Sequence, residues 1–419
     1  MLFRRSAAVV AAAFGIGAVA APLAQAADPS PSSPSSVTIP EGLYGTADPT
    51  YDGVWRQSLA LLAQSSVGVT PAARAGDWLA GQQCADGGFA AFRPDPAAAC
   101  DSKTPLDSNS TAAAVQALAE LGDHEAATGK AVTWLKSVQN ADGGWGYTPG
   151  GPSDTNSTGL VVGALTAAGE RPAEVRKDGK SPYDALLALS VPCDDPEGGG
   201  AFAYQPEQNG DLLANADATA AGVLGALGTG LNAEAPDTTA TPATAGCADA
   251  TTPAQAAANA TAWLTTTLAG NDDHLISALP GAEDQPDYGN TADAVVALAA
   301  LGEGEQARAS MTWLERNARA WADASGPAAH AQLVLAAHAI GDGPEEFGGT
   351  GLIDRLNASG PTPAATDDLV EKRLVEKETT ASAEDDDSPF GVWWYVGVFG
   401  VVGVGIGFLV SGRNRGDRP

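Results

Sequence analysis

The chain has 419 residues, with 51 acidic against 22 basic side chains and a formal net charge of −29. So acidic a surface repels nucleic acid and anionic polymers, which excludes them as partners. Its four cysteines have no Cys-x-x-Cys spacing to suggest zinc.

Residues 1–26 read as a signal peptide: Arg4 and Arg5, an apolar Ala7–Ala20, and a small-residue cleavage site at Ala24-Gln25-Ala26. Residues 27–50 are Pro/Ser-rich and too polar to bury a core, so disorder is expected there. The body, 51–358, is a succession of Ala/Val/Leu runs with helical periodicity and no competing strand pattern. Twelve helices are predicted: 55–66, 71–83, 109–121, 128–139, 155–168, 181–190, 216–229, 254–269, 289–301, 305–320, 328–340 and 350–357. Residues 359–391 read as an acidic stalk and 392–410 as an uncharged span able to cross a hydrocarbon core of about 30 Å. Arg413, Arg415 and Arg418 in the tail, 411–419, place the C-terminus inside. The expected location is therefore the cell membrane, single-pass, with the body extracytoplasmic. In that oxidising compartment two disulfides are expected, and Cys84–Cys100 with Cys193–Cys247 is the favoured pairing because each pair brackets a loop insertion.

The body repeats one unit. A polar cap precedes a Thr, an apolar run follows, and a Gly stands eleven residues after the Thr: Thr111 and Gly122, Thr158 and Gly169, Thr219 and Gly230, Thr291 and Gly302. His330 and Gly341 form a further copy, and Gln57 and Gly68 a faint first one. The residues before each Thr are good N-caps and the Gly a good C-cap. Between these helices lie others ending in Trp-Leu, Gln and Asp-Gly-Gly-aromatic: Trp78 to Phe89, and Trp134-Leu135 through Gln139 to Asp142-Gly-Gly-Trp145-Gly146. Trp263 and Trp313 open later, decayed copies.

The Trp134–Gly146 run resembles the QW motif of the squalene cyclase and protein prenyltransferase superfamily, and Trp78–Phe89 is similar. The resemblance implies an all-α fold, an α6/α6 toroid of six inner and six outer helices, to which the predicted C-terminal transmembrane helix is added. Asn290–Gly302 is also similar to the toroid repeats of the cobalamin carriers, intrinsic factor and transcobalamin.

Catalysis of the kinds known in the superfamily is not expected. The terpene cyclases use the middle Asp of Asp-x-Asp-Asp-Thr-Ala as a proton donor. Here Asn109 and Asn156 occupy that slot, and an amide cannot protonate an alkene. Only Asp217 keeps the acid, between Ala216 and Ala218. Carboxylates beside Asp217 in space would favour an enzyme; a solvated cap would not. Zinc ligands of the prenyltransferase kind are absent in sequence, so no metal is expected.

What remains is binding. Parallel inner helices would gather Asp107, Asn109, Thr111, Asp154, Asn156, Thr158, Asn215, Asp217, Thr219, Asp287, Asn290, Thr291 and His330 at one rim. A largely neutral hydrogen-bonding rim suits a bulky, polar, uncharged ligand. The resemblance to the carriers points to cobalamin or a related corrinoid, captured for uptake, with a separate lid protein or transporter as partner and His330 as a candidate cobalt ligand. The alternatives are an enzyme on polyprenyl or terpenoid substrates, with Asp217 as its acid, and a structural surface module that binds another protein.

Overall fold

The apolar runs fold as helices because their Ala and Leu residues favour that state, and four of the repeated ones are capped at their start by Asp107, Asp154, Asn215 and Asp287. The computed structural model of the chain describes residues 39–236, 246–277, 284–344, 347–349 and 351–364. Six helices carry the repeated unit: α1 (Gly53–Ser66), α3 (Ser108–Leu121), α5 (Thr155–Ala167), α7 (Ala216–Leu227), α9 (Tyr288–Leu301) and α12 (Pro327–Ala339). Each packs on the next, and α12 returns to α1, so the six close a ring. Around them stand α2 (Ala73–Gly81), α4 (Glu125–Ser137), α6 (Pro182–Ala188), α8 (Pro253–Ala269), α10 (Gly304–Asn317) and α13 (Leu352–Ala358), each against inner helices. The segment predicted as one helix over 305–320 instead breaks at Ala318, and α11 (Arg319–Ser325) follows as an extra element against α12.

Inner helices are buried nearly all round, as expected of a helix that is apolar on every face. Ala112, Ala113, Ala114 and Val115 of α3 are all 0% exposed. Small residues let neighbours approach closely: a Cβ added to Gly225 of α7 would lie 2.6 Å from the Cα of Gly159 of α5.

The expectation of an all-α ring followed by a spanning helix is corrected on two points. Among the described residues there are three two-stranded antiparallel sheets: β1 (Phe89–Ala90) with β2 (Leu106–Asp107), β3 (Ala203–Pro206) with β4 (Leu212–Ala214), and β5 (Leu275–Ser277) with β6 (Gln285–Asp287). Each hairpin ends at the start of an inner helix, where the chain returns from the outer layer. Strands of two to four residues carry no period that a sequence pattern can show. Second, no helix among the described residues is long and apolar enough to cross a membrane. The predicted span 392–410, the leader 1–26 and the tail 411–419 lie outside the described residues, as do 27–38 and most of the acidic segment 359–391.

The loops that join outer to inner helices are set by the Asp-Gly-Gly turns. The Asp86 carboxylate accepts from Gly88 N at 3.2 Å, and Asp142 accepts from Gly144 N at 3.0 Å. Gly143 has φ 91°, and a Cβ there would meet the Ser181 carbonyl oxygen at 2.2 Å, so only glycine fits. Gln139 donates to the Gly143 carbonyl at 2.8 Å, and Trp145 Nε1 to the Leu135 carbonyl at 2.8 Å. Two disulfides pin the loops, Cys84–Cys100 and Cys193–Cys247, with Cα atoms 5.7 and 5.6 Å apart.

Candidate functional site

Successive residues of a helix turn by about 100°, so one face toward the ring axis recurs at intervals of four and three. Counting from the repeated Thr, that face holds the positions two before, two after and five after. These positions carry Trp55 and Leu59 on α1, Asn109 on α3, and Asn156 and Leu160 on α5. They continue as Asp217, Ala221 and Leu224 on α7, Asp293 and Val296 on α9, and Gln332 and Leu335 on α12. All of them line one axial cavity of about 340 Å³, together with Asn290, Ala220 and Leu231. A more open depression of about 510 Å³ lies on the outer surface around Lys136, Glu170, Arg171 and Arg176. Its charges are largely paired, Lys136 with Glu170 at 2.6 Å, Arg171 with Glu174 at 2.8 Å and Arg176 with Asp184 at 4.0 Å.

Polar groups in the axial cavity are bonded to one another in a consistent sense. Asn156 Nδ2 donates to Asp217 Oδ2 at 2.5 Å. Gln332 Nε2 donates to both oxygens of Asp293, at 3.2 and 3.3 Å. Asn290 Nδ2 donates to Asp287 Oδ2 at 2.9 Å. The side-chain oxygens of Asn109 and Asn156 are buried and have no partner among the described residues.

Both cavity acids are held above the ordinary carboxylate range. Burial pushes Asp293 up to about 7, and the nearby Asp217 charge adds to the rise against the bond from Gln332. Asp217 is also raised, by burial and then by Asp287, with the Asn156 bond opposing. Asp217 is thus not alone: it shares the cavity with Asp293, supplied by α9.

Of the residues expected at the rim, Asn109, Asn156, Asp217 and Asn290 line the cavity. The expected Asp107, Asp154, Asn215 and Asp287 are N-caps, accepting from Ser110, Ser157, Ala218 and Asn290 backbone N–H groups at 2.6, 2.6, 2.8 and 3.1 Å. Burial lifts Asp107 to about 6 and raises Asp154 as well. The threonines turn away from the axis and latch the loops. Thr111, Thr158, Thr219 and Thr291 Oγ1 accept from the backbone N–H of Phe89, Trp145, Phe202 and Leu275 at 2.9, 3.1, 3.1 and 3.0 Å. In the first copy Gln57 Oε1 does the same for Tyr44 N at 2.9 Å. His330 is away from the cavity: its Nδ1 bonds the Gly326 carbonyl at 3.0 Å and its Nε2 lies 3.5 Å from Asp323. It therefore offers no ligand to a metal centre on the axis.

Asp293, Gln332 and Trp55 are cavity residues that sequence reasoning missed. The signal existed: Asp293 lies four residues after Gly289, which occupies the slot of Asn109 and Asp217, so it shares their helix face.

No family model and no curated protein matches the chain. Among solved structures it is similar to the crystal structure of a protein from Actinoplanes, with a TM-score of 0.45 and 17% identity over 73% of this chain and 95% of that one. A likeness of that size carries no functional argument.

Proposed function

We propose that the chain is a small-molecule-binding protein whose ligand enters the axial cavity, an extracytoplasmic role that its two disulfides suit. The observation that carries this reading is a cavity supplied by all six inner helices and lined by Asn109, Asn156, Asp217, Asp293 and Gln332 among apolar side chains. Polar groups turned into such an enclosure have few water partners, and a ligand that bonds them makes up the loss. At about 340 Å³ the cavity stands at the low end of the roughly 300–1,000 Å³ typical of small-molecule sites. That size supports a ligand smaller than a corrinoid, which would have to lie across the mouth. The kinship with QW-type repeat proteins belongs to this proposal on the motif alone.

The test uses three isosteric probes, benzamide, benzoate and benzamidine, with thermal unfolding as readout. At least one should raise the melting temperature of the wild type and leave Ala221→Phe, which fills the cavity, unmoved. Failure of all three to stabilise the wild type would overturn the binding reading.

One observation favours a second reading, acid catalysis. Asp293 keeps its proton near neutrality beside Asp217, and such a pair can serve as acid and base. Against a cyclase stands the lining, whose one aromatic side chain is Trp55. Turnover of squalene or a prenyl diphosphate, abolished by Asp217→Asn, would establish the enzyme; no turnover would dismiss it.

A further inference from the structure

We infer that the ligand of this cavity is an organic cation rich in N–H donors, an ammonium, amidinium or guanidinium group carried on an apolar body. The inference rests on the binding reading above and names its ligand class. The first argument is the count of donors and acceptors. An amide beside a carboxyl group presents its NH₂ to a carboxyl oxygen that carries no proton. Asn156, Gln332 and Asn290 have each done so, toward Asp217, Asp293 and Asp287. The lining then presents chiefly the carboxyl oxygens of Asp217 and Asp293 to the void; the Asn109 and Asn156 oxygens, also without partners among the described residues, are enclosed behind it. A neutral amide ligand would bring an acceptor of its own into this acceptor-rich space. A carboxylate or phosphate would add like charge.

The second argument is charge. Neither Asp217 nor Asp293 forms an ion pair among the described residues, and no Lys, Arg or His lines the cavity. Buried carboxylates are costly unless an opposite charge compensates them. A ligand cation supplies that charge. A metal ion fits less well, because the described residues contain no group of three His, Cys, Asp or Glu side chains placed to hold one. The third argument is the remainder of the lining. Leu59, Leu160, Leu224, Val296 and Leu335 offer an apolar bed, and Trp55 adds an aromatic side chain to the lining.

Isothermal titration of the purified protein with benzamidine and with benzamide, its neutral isostere, tests the inference. Benzamidine should bind at least tenfold more tightly. The double variant Asp217→Asn/Asp293→Asn should lose that preference and keep its circular-dichroism spectrum; should it fail to fold, each single variant should lose part of the preference. Benzamide or benzoate binding as tightly as benzamidine would overturn the cation assignment and leave the binding reading intact. Stabilisation by calcium chloride with none by benzamidine would also overturn it, in favour of a metal. Binding by none of these probes overturns both.

Discussion

Asn156 and Asp217 join two neighbouring inner helices across the cavity: the amide of α5 donates to the carboxylate of α7 at 2.5 Å. This bond holds the Asp217 charge in place against burial, which drives it the other way. It also fixes the orientation of the Asn156 amide.

Replacing Asn156 with Leu should therefore push the Asp217 carboxyl further up. Carboxyl carbon NMR titration reads this directly, with Asp217→Asn assigning the signal. An unchanged or lower midpoint in Asn156→Leu would show that the bond does not stabilise the charge.

Thr219→Val tests the loop latch. Valine keeps the shape of threonine but removes the oxygen that accepts from Phe202 N at 3.1 Å and donates to the Asn215 carbonyl at 2.6 Å. Phe202 is 0% exposed, so its N–H is left without a partner away from water. The cost should be about 1–3 kcal/mol in urea unfolding, with benzamidine affinity changed less than twofold. Loss of affinity without loss of stability would return Thr219 to the binding site.

The helices and their caps were legible in the sequence because both signals are local. Asp107, Asp154, Asn215 and Asp287 each stand at a helix start and accept from the backbone three residues on. The cavity was only half legible, because a rim was read where a face was needed. The residue two before each Thr points to the axis, and the Thr itself, about 200° further round, points to the loop. Asn109, Asn156 and Asp217 were thus placed at the ligand, but so were Thr111, Thr158 and Thr219, which bind backbone instead. His330 fell with them, since it occupies the Thr position. Asp293 and Gln332 lie one turn inside the capping motif, where no cap signal marks them. The hairpins could not be read at all, their strands being too short for any period.

The raised acids make the empty protein less stable as pH rises. Asp293 goes from an ordinary 3.8 to about 7 on folding. Between those values the folded chain holds a proton that the unfolded chain has lost, so stability is greatest below the lower value and declines until pH passes the upper one. Each pH unit of that window costs up to about 1.4 kcal/mol. Asp107, raised to about 6, acts the same way over a narrower window. Urea midpoints should accordingly fall between pH 4 and pH 7, roughly the span of the two titrations. Asp293→Asn should fall less steeply than the wild type. Parallel slopes in the two proteins would show that Asp293 is not lifted by folding.

The same proton sets the pH dependence of ligand affinity. Asp293 is faced by Gln332 from α12, by Asp217 from α7 and by Asp287 at the start of its own helix; burial and then the carboxylates raise it, and Gln332 opposes them. Below about 7 Asp293 is neutral, and a cation entering the cavity must expel its proton. Above that value the carboxylate is already ionised and the cation meets full charge. Benzamidine keeps its own charge throughout this range, so its affinity should rise with pH and level off above 7, by up to about tenfold per pH unit where Asp293 alone titrates. Calorimetry in two buffers of different ionisation enthalpy should show close to one proton released per benzamidine bound at about pH 6, and few at about pH 8.5. Asp293→Asn should bind benzamidine more weakly at high pH and release fewer protons at low pH. A wild-type affinity that is flat or falls as pH rises would mean that Asp293 does not meet the cation.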